Sequence, residues 1–210
     1  MPFLAHTKGN AWLLCLHKEG DSAAQKDVIK RSGVAYYWAK WISPERCFTN
    51  RSRDVEAGWF KELKNDSLKP VGQNDKLWIV AHGSQQKVAA YDPEALARLL
   101  KESGLTKAGL ITFCACNVGA GDFLTKFVYQ ASVNQIVIGW VKGYCGSAAT
   151  VPHPDGDGSP HERIRGKAPK RGKLGNELDG DARYKIVSGI DNPFKQNIGR
   201  YLLDDSDSPF

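Results

Sequence analysis

Leu77-Trp78-Ile79-Val80-Ala81-His82-Gly83-Ser84, followed by Leu110-Ile111-Thr112-Phe113-Cys114-Ala115-Cys116-Asn117-Val118-Gly119 and then Ile136-Val137-Ile138-Gly139-Trp140, decides the fold. Each stretch opens on a short apolar run rich in branched and aromatic residues, the pattern of a buried strand bounded by turn residues. Between the first two, Asp92-Pro93-Glu94 supplies an N-cap, a proline at the first helical position and an acid for the dipole. Leu96, Leu99 and Leu100 make one apolar helical face, and Gly104 stops it. Between the second and third, Phe123, Leu124, Phe127, Val128 and Ala131 recur at helical spacing from near Asp122 to Asn134. Strand, helix, strand, helix, strand with short links predicts right-handed βαβ units. The fold class is therefore α/β: an open, mainly parallel sheet with helices on both faces.

Working outward, Trp12 to Leu16 reads as a fourth strand, and Tyr184 to Ile190 as a late return to the sheet. Helices are expected over Ala23 to Arg31, ended by Gly33, and over Asp54 to Lys64, where Val55, Trp59, Phe60 and Leu63 share a face despite Gly58. From Val151 to Asp181 the composition turns to Gly, Pro, Asp and basic residues without periodicity, which predicts a long basic surface loop. A chain of 210 residues that is 41% hydrophobic holds one sizeable core, so residues 1–210 are expected to form a single domain. No apolar run approaches the roughly 20 residues that span a bilayer, so no membrane partner is expected. The N-terminus lacks the charged and apolar regions of a signal peptide. Synthesis in the cytoplasm is expected, with secretion as an effector left open.

The net charge of +6 is partly concentrated in Arg163, Arg165, Lys167, Lys170, Arg171 and Lys173, which suits an anionic partner. No aromatic residue interleaves with these charges between Ser159 and Asp181, so nucleic acid is not the expected ligand. The segment His153 to His161 carries carboxylates and histidines without the spacing of a metal loop, and no metal site is assigned.

In open parallel sheets, sites form beyond the carboxyl ends of the strands. His82 and Cys116 both fall there, each followed by small residues. A nucleophilic thiol needs a base to take its proton, and histidine titrates in the right range. Neighbouring glycines let the backbone approach a substrate and aim N–H groups at a developing oxyanion, a role for the amides of Gly83 and Cys116. Cys114 lies two residues earlier on the same strand face and is the alternative nucleophile. Ser84, Trp140 and Cys145 are candidates to line the substrate pocket. Cys15 and His17 make a second pair without a glycine turn, read as structural.

The two blocks, Ile79-Val80-Ala81-His82-Gly83-Ser84 and Phe113-Cys114-Ala115-Cys116-Asn117-Val118-Gly119, resemble the motifs of the caspase-like superfamily of cysteine peptidases. The continuation through Gly121 and an amphipathic helix is most similar to the branch of self-processing peptidase domains in bacterial toxins and effectors. The resemblance spans residues 75–145. It implies a caspase-like fold, His82 as catalytic histidine, Cys116 as nucleophile, a protein or peptide substrate and no required cofactor. It also implies inositol hexakisphosphate as a candidate activator, for which Arg163, Arg165, Lys170 and Arg171 are candidate ligands, and self-processing around Val151 to Gly175. The alternatives are another thiol-dependent amide hydrolase or transpeptidase on the same fold, or a non-enzymatic basic binding module.

Overall fold

The computed structural model describes residues 9–18, 39, 42–152, 160–165 and 184–193. Nine strands and three α-helices follow one another as β1 (Ala11–Cys15), β2 (Cys47–Thr49), α1 (Ser52–Glu56), β3 (Lys61–Glu62), β4 (Lys76–Val80), α2 (Pro93–Glu102), β5 (Lys107–Cys114), α3 (Phe123–Val133), β6 (Val137–Tyr144), β7 (Ser147–Pro152), β8 (Pro160–Arg165) and β9 (Tyr184–Ser188) among the described residues. Seven strands form one sheet in the order β3-β2-β1-β4-β5-β6-β9. All neighbours are parallel except β9, which runs antiparallel to β6. The class is α/β with a mostly parallel sheet, and the late strand at Tyr184 is present.

Sheet order follows from where the chain reverses direction across the sheet. From β1 it steps outward to β2 and β3, then returns to place β4 on the other side of β1 and continues through β5 and β6. The gap between β1 and β4 is thus a topological switch point, where loops diverge at the carboxyl edge and open a crevice.

On one face, Leu14, Leu16, Leu77, Ile79, Ile111, Phe113 and Val141 meet Leu96, Ala97 and Leu100 of α2 and Phe123, Phe127 and Val128 of α3 in one buried cluster. Phe113 stands edge-on to Phe123 and Phe127, with ring centroids 5.6 and 5.2 Å away. This places α3 beneath the chain that leaves β5, and such edge-to-face pairs add about 0.5–1.5 kcal/mol each beyond burial. Asp92 Oδ1 accepts the Ala95 amide at 2.9 Å and fixes the start of α2 as its sequence predicts. The opposite face buries Leu13, Cys15, Cys47, Phe60, Trp78, Val80 and Cys114, with Leu110, Trp140 and Ile186 beside them.

The β4–β5 ladder starts at a shared acceptor. The amides of Gly109 and Leu110 both donate to the carbonyl of Asp75, at 3.0 and 3.2 Å. From that rung the register with β4 and β6 is constant, and Ile111, Phe113 and Ala115 fall on the helix side. Asp75 itself is buried and accepts from the Asn10 and Gly72 amides, both at 2.7 Å, and from Trp12 Nε1 at 2.9 Å.

Two expectations change. The helix predicted over Asp54 to Lys64 is the single short turn of α1 followed by strand β3, because Gly58 at φ 79° reverses the chain. The loop predicted from Val151 contains part of a hairpin, β7 against β8, in which Val151 pairs His161 and Ala149 pairs Arg163. A two-stranded ribbon outside the main sheet needs no apolar alternation, so the sequence carried no strand signal there. Both longer described helices, α2 and α3, share one face of the sheet, while helical Ala39 is buried on the other; the helix expected over Ala23 to Arg31 lies outside the described residues. Among the described residues, no helix is long and apolar enough to cross a membrane.

Candidate active site

Beyond β4 the chain folds back at once. His82 accepts the Ala89 amide through its carbonyl at 2.7 Å, and the Ser84 amide donates to Lys87 O at 2.9 Å. The pair Gly83–Val88 between them is of the type that exchanges no hydrogen bonds, so the hairpin leaves the Gly83 amide unused. Ser84 Oγ accepts the amides of Gln86 and Lys87 at 3.2 and 3.0 Å, which holds the turn. Val88 is fully buried and anchors the loop, while His82 is exposed at the sheet edge.

Beyond β5 the chain curls over the end of β6. The Asn117 amide donates to Gly146 O at 2.9 Å and the Gly119 amide to Tyr144 O at 2.8 Å. Asn117 has φ 60°, a left-handed conformation that asparagine tolerates, and it turns the backbone sharply just after Cys116. At Gly119 a Cβ would lie 2.3 Å from Gly143 O and 3.2 Å from Cys145 Sγ, so only glycine lets the two segments meet. Cys116 is half-buried in this turn. Cys114, by contrast, is 5% exposed and packs on the sheet face with Val80 and Cys15.

The two loops touch. A Cβ at Gly83 would stand 2.7 Å from the Cys116 carbonyl oxygen and 2.7 Å from Ala115 Cβ. The β4–β5 ladder ends at Val80 and Cys114, so His82 and Cys116 each lie two residues past the last paired residues of neighbouring strands, whose axes are about 4.8 Å apart. The other site candidates separate. Cys145 is half-buried against Gly119 at the same edge. Trp140 is mid-strand and buried beside Leu110 and Ile186, because β6 runs on to Tyr144 instead of ending at Trp140. Arg163 and Arg165 lie on β8, level with Ala149 and Ser147 of β7; Lys170 and Arg171 fall outside the described residues.

The same count brings in residues that the sequence reading set aside or missed. Cys15 pairs with both Thr49 and Val80, and His17, Arg51 and His82 each follow two residues past those last paired positions of β1, β2 and β4. His17 is tied to Asn50 by two hydrogen bonds, its amide to Oδ1 at 2.9 Å and Nδ2 to its carbonyl at 3.0 Å. Its Nε2 lies 2.9 Å from Asp54 Oδ2 and 3.1 Å from Cys15 Sγ. Arg51 closes on Asp54 with two nitrogens, Nε at 3.0 Å and Nη2. Burial alone would raise the Asp54 pKa, but the hydrogen bonds from His17 and Arg51 outweigh it and hold the carboxyl below its ordinary value. Burial, with Asp54 nearby, pushes the Cys15 thiol well above the usual range, and burial pushes Cys47 up to about 12. Both are inert sulfurs at neutral pH. The signal for Arg51 and Asp54 was available only in part: Arg51-Ser52-Arg53-Asp54 follows a strand end, but β2 is three residues long and gave no pattern.

Neither a scan against protein-family models nor a search of curated proteins finds a match to this chain.

Proposed function

We propose that the protein is a cysteine endopeptidase with a His82/Cys116 dyad. The observation that carries this reading is the contact between the two strand-end loops, in which Gly83 packs on the Cys116 carbonyl and His82 and Cys116 each follow two residues after the last paired residues of β4 and β5. Cys116 attacks the scissile carbonyl, and its proton passes to His82. His82 then returns a proton to the leaving amine, and water releases the acyl group by the same steps. The Gly83 amide, unused by its hairpin, and the Cys116 amide are assigned to the oxyanion that forms on the carbonyl oxygen. The caspase-like resemblance is part of this reading, and the position of both residues beyond the carboxyl ends of β4 and β5, neighbours in a mostly parallel sheet, supports it. Inositol hexakisphosphate is the activator to try first, with the β7–β8 hairpin and its arginines as the contact to mutate.

Iodoacetamide at mildly acidic pH, followed by peptide mapping, tests the dyad. Selective labelling of Cys116 that His82→Ala removes, together with loss of peptide cleavage in Cys116→Ala, is the expected result. Equal, slow labelling of Cys116 and Cys145, indifferent to His82, would mean an inert thiol and end this reading.

A further inference from the structure

The outward side of α3 is apolar where a surface helix is ordinarily polar. Phe123, Leu124, Phe127, Val128 and Ala131 are buried against the sheet, yet Tyr129 and Val133, one turn apart on the other side, are 59% and 60% exposed. Ile190, just past β9, is 47% exposed. Beside it, Ser132 Oγ donates to Asp191 Oδ2 at 3.1 Å, which ties the chain after β9 to the last turn of α3. Toward its other end this side of α3 opens into a groove of about 460 Å³ shared with the start of α2, lined by Asp92, Pro93, Glu94, Thr125, Lys126 and Tyr129. Val133, Tyr129 and Lys126 therefore follow one another along about 10 Å of helix, from the tether at Ser132 to the groove.

The chain that leaves the tether carries a stripe to match. Asn192-Pro193 sets a capping residue before a proline at the first helical position. In Phe194-Lys195-Gln196-Asn197-Ile198-Gly199-Arg200-Tyr201-Leu202-Leu203, the apolar Phe194, Ile198, Tyr201 and Leu202 recur at helical spacing. These ten residues lie outside the described part of the chain. So short a segment with a glycine inside it does not hold a helix alone in water, so its apolar stripe needs a surface. From this match we infer that residues 194–203 dock as an amphipathic helix along the outward side of α3, antiparallel to it. Phe194 covers Val133 and Ile190, Ile198 covers Tyr129, and Tyr201 and Leu202 fill the groove. Ten helical residues extend about 15 Å, enough to cover that path. Charge agrees with the direction, because Arg200 arrives where Asp92 and Glu94 line the groove. The docked segment also steadies α3, which begins two residues after Gly121 of the Cys116 turn.

Hydrogen–deuterium exchange of the full chain tests this. Amides of residues 195–203 should exchange on the order of tenfold or more slowly than in a free peptide of the same sequence. Tyr129→Asp, Val133→Asp and Ile198→Asp should each remove that protection. Both α3 positions are exposed, so the fold should survive, and unchanged protection of β4 and β5 in the same data verifies it. Melting of Tyr129→Ala and Ile198→Ala, singly and together, gives a second readout: side chains in contact are coupled, so the double variant should lose less Tm than the sum of the two. Exchange at the free-peptide rate, or protection indifferent to Tyr129 and Val133, overturns the docking. Protection that grows with protein concentration alongside a doubled mass in light scattering also overturns it, and puts a second copy of the chain in the groove instead.

Discussion

Replacing Gly83 by alanine strikes the contact on which the site depends. The added Cβ would lie 2.7 Å from Ala115 Cβ, 2.7 Å from Cys116 O and 2.9 Å from Val118 Cγ2. Carbon contacts settle at about 3.5–4.0 Å, so the overlap is close to 1 Å in two directions. The methyl group cannot rotate away, because backbone fixes its position, and two of its neighbours are themselves backbone or fixed to it. Either the hairpin from His82 or the turn at Cys116 must move by a comparable amount. Overpacking of this kind costs about 2–3 kcal/mol, which for a chain of this size lowers Tm by roughly 5–10 °C. A displacement near 1 Å between reacting groups costs on the order of a hundredfold in rate. Thermal melts and the rate of Cys116 alkylation read the two effects separately. Gly58→Ala is the comparison: nothing lies within 4 Å, only the φ of 79° is strained, and about 1 kcal/mol of stability is lost with no change in alkylation. A Gly83→Ala protein that melts within about a degree of the parent and alkylates at the same rate would refute the packing of these loops.

Other outcomes follow from groups away from that contact. Asp75→Ala strands the Asn10 and Gly72 amides and Trp12 Nε1; a loss of about 3 kcal/mol or more is expected in urea unfolding, with Asp75→Asn losing less. Because Asp54 is held below its ordinary pKa in the folded state, its pairing contributes fully above about pH 4 and fades as pH falls through the folded value. The Tm gap between the parent and Asp54→Asn should therefore be constant from pH 5 to 7 and narrow in stronger acid, about pH 3. Cys47, with its thiol pushed up to about 12, holds about one part in ten thousand as thiolate at pH 8. Native alkylation at pH 8 should leave Cys47 and Cys15 unmodified, and denaturation should expose both.

What could be read in the chain was local. His82 and Cys116 each end an apolar run in a small-residue turn, and the runs lie in consecutive βαβ units, so sequence order already makes them neighbours. Arg51 and Asp54 come to that edge through β2, a strand of three residues on the far side of β1. Nothing in a linear pattern says that residue 51 lands at the same sheet edge as residue 82. Trp140 was misplaced for the opposite reason. Gly139 and Gly143 interrupt the apolar pattern of β6, so its observed end at Tyr144 could not be seen. The β7–β8 ribbon was invisible because no apolar face had to be patterned for it.

The first rung of the β4–β5 ladder, where Gly109 and Leu110 share the Asp75 carbonyl, sets the register of a site at the other end of the strand. Seven residues, about 23 Å of extended chain, separate it from Cys116. Deleting one residue there would rotate everything downstream by half a turn, sending Cys114 toward the helix layer and carrying Phe113 off its two aromatic partners. The dyad thus has a phase control remote from its chemistry, where a single insertion or deletion decides which sulfur faces inward without altering one residue of the motif.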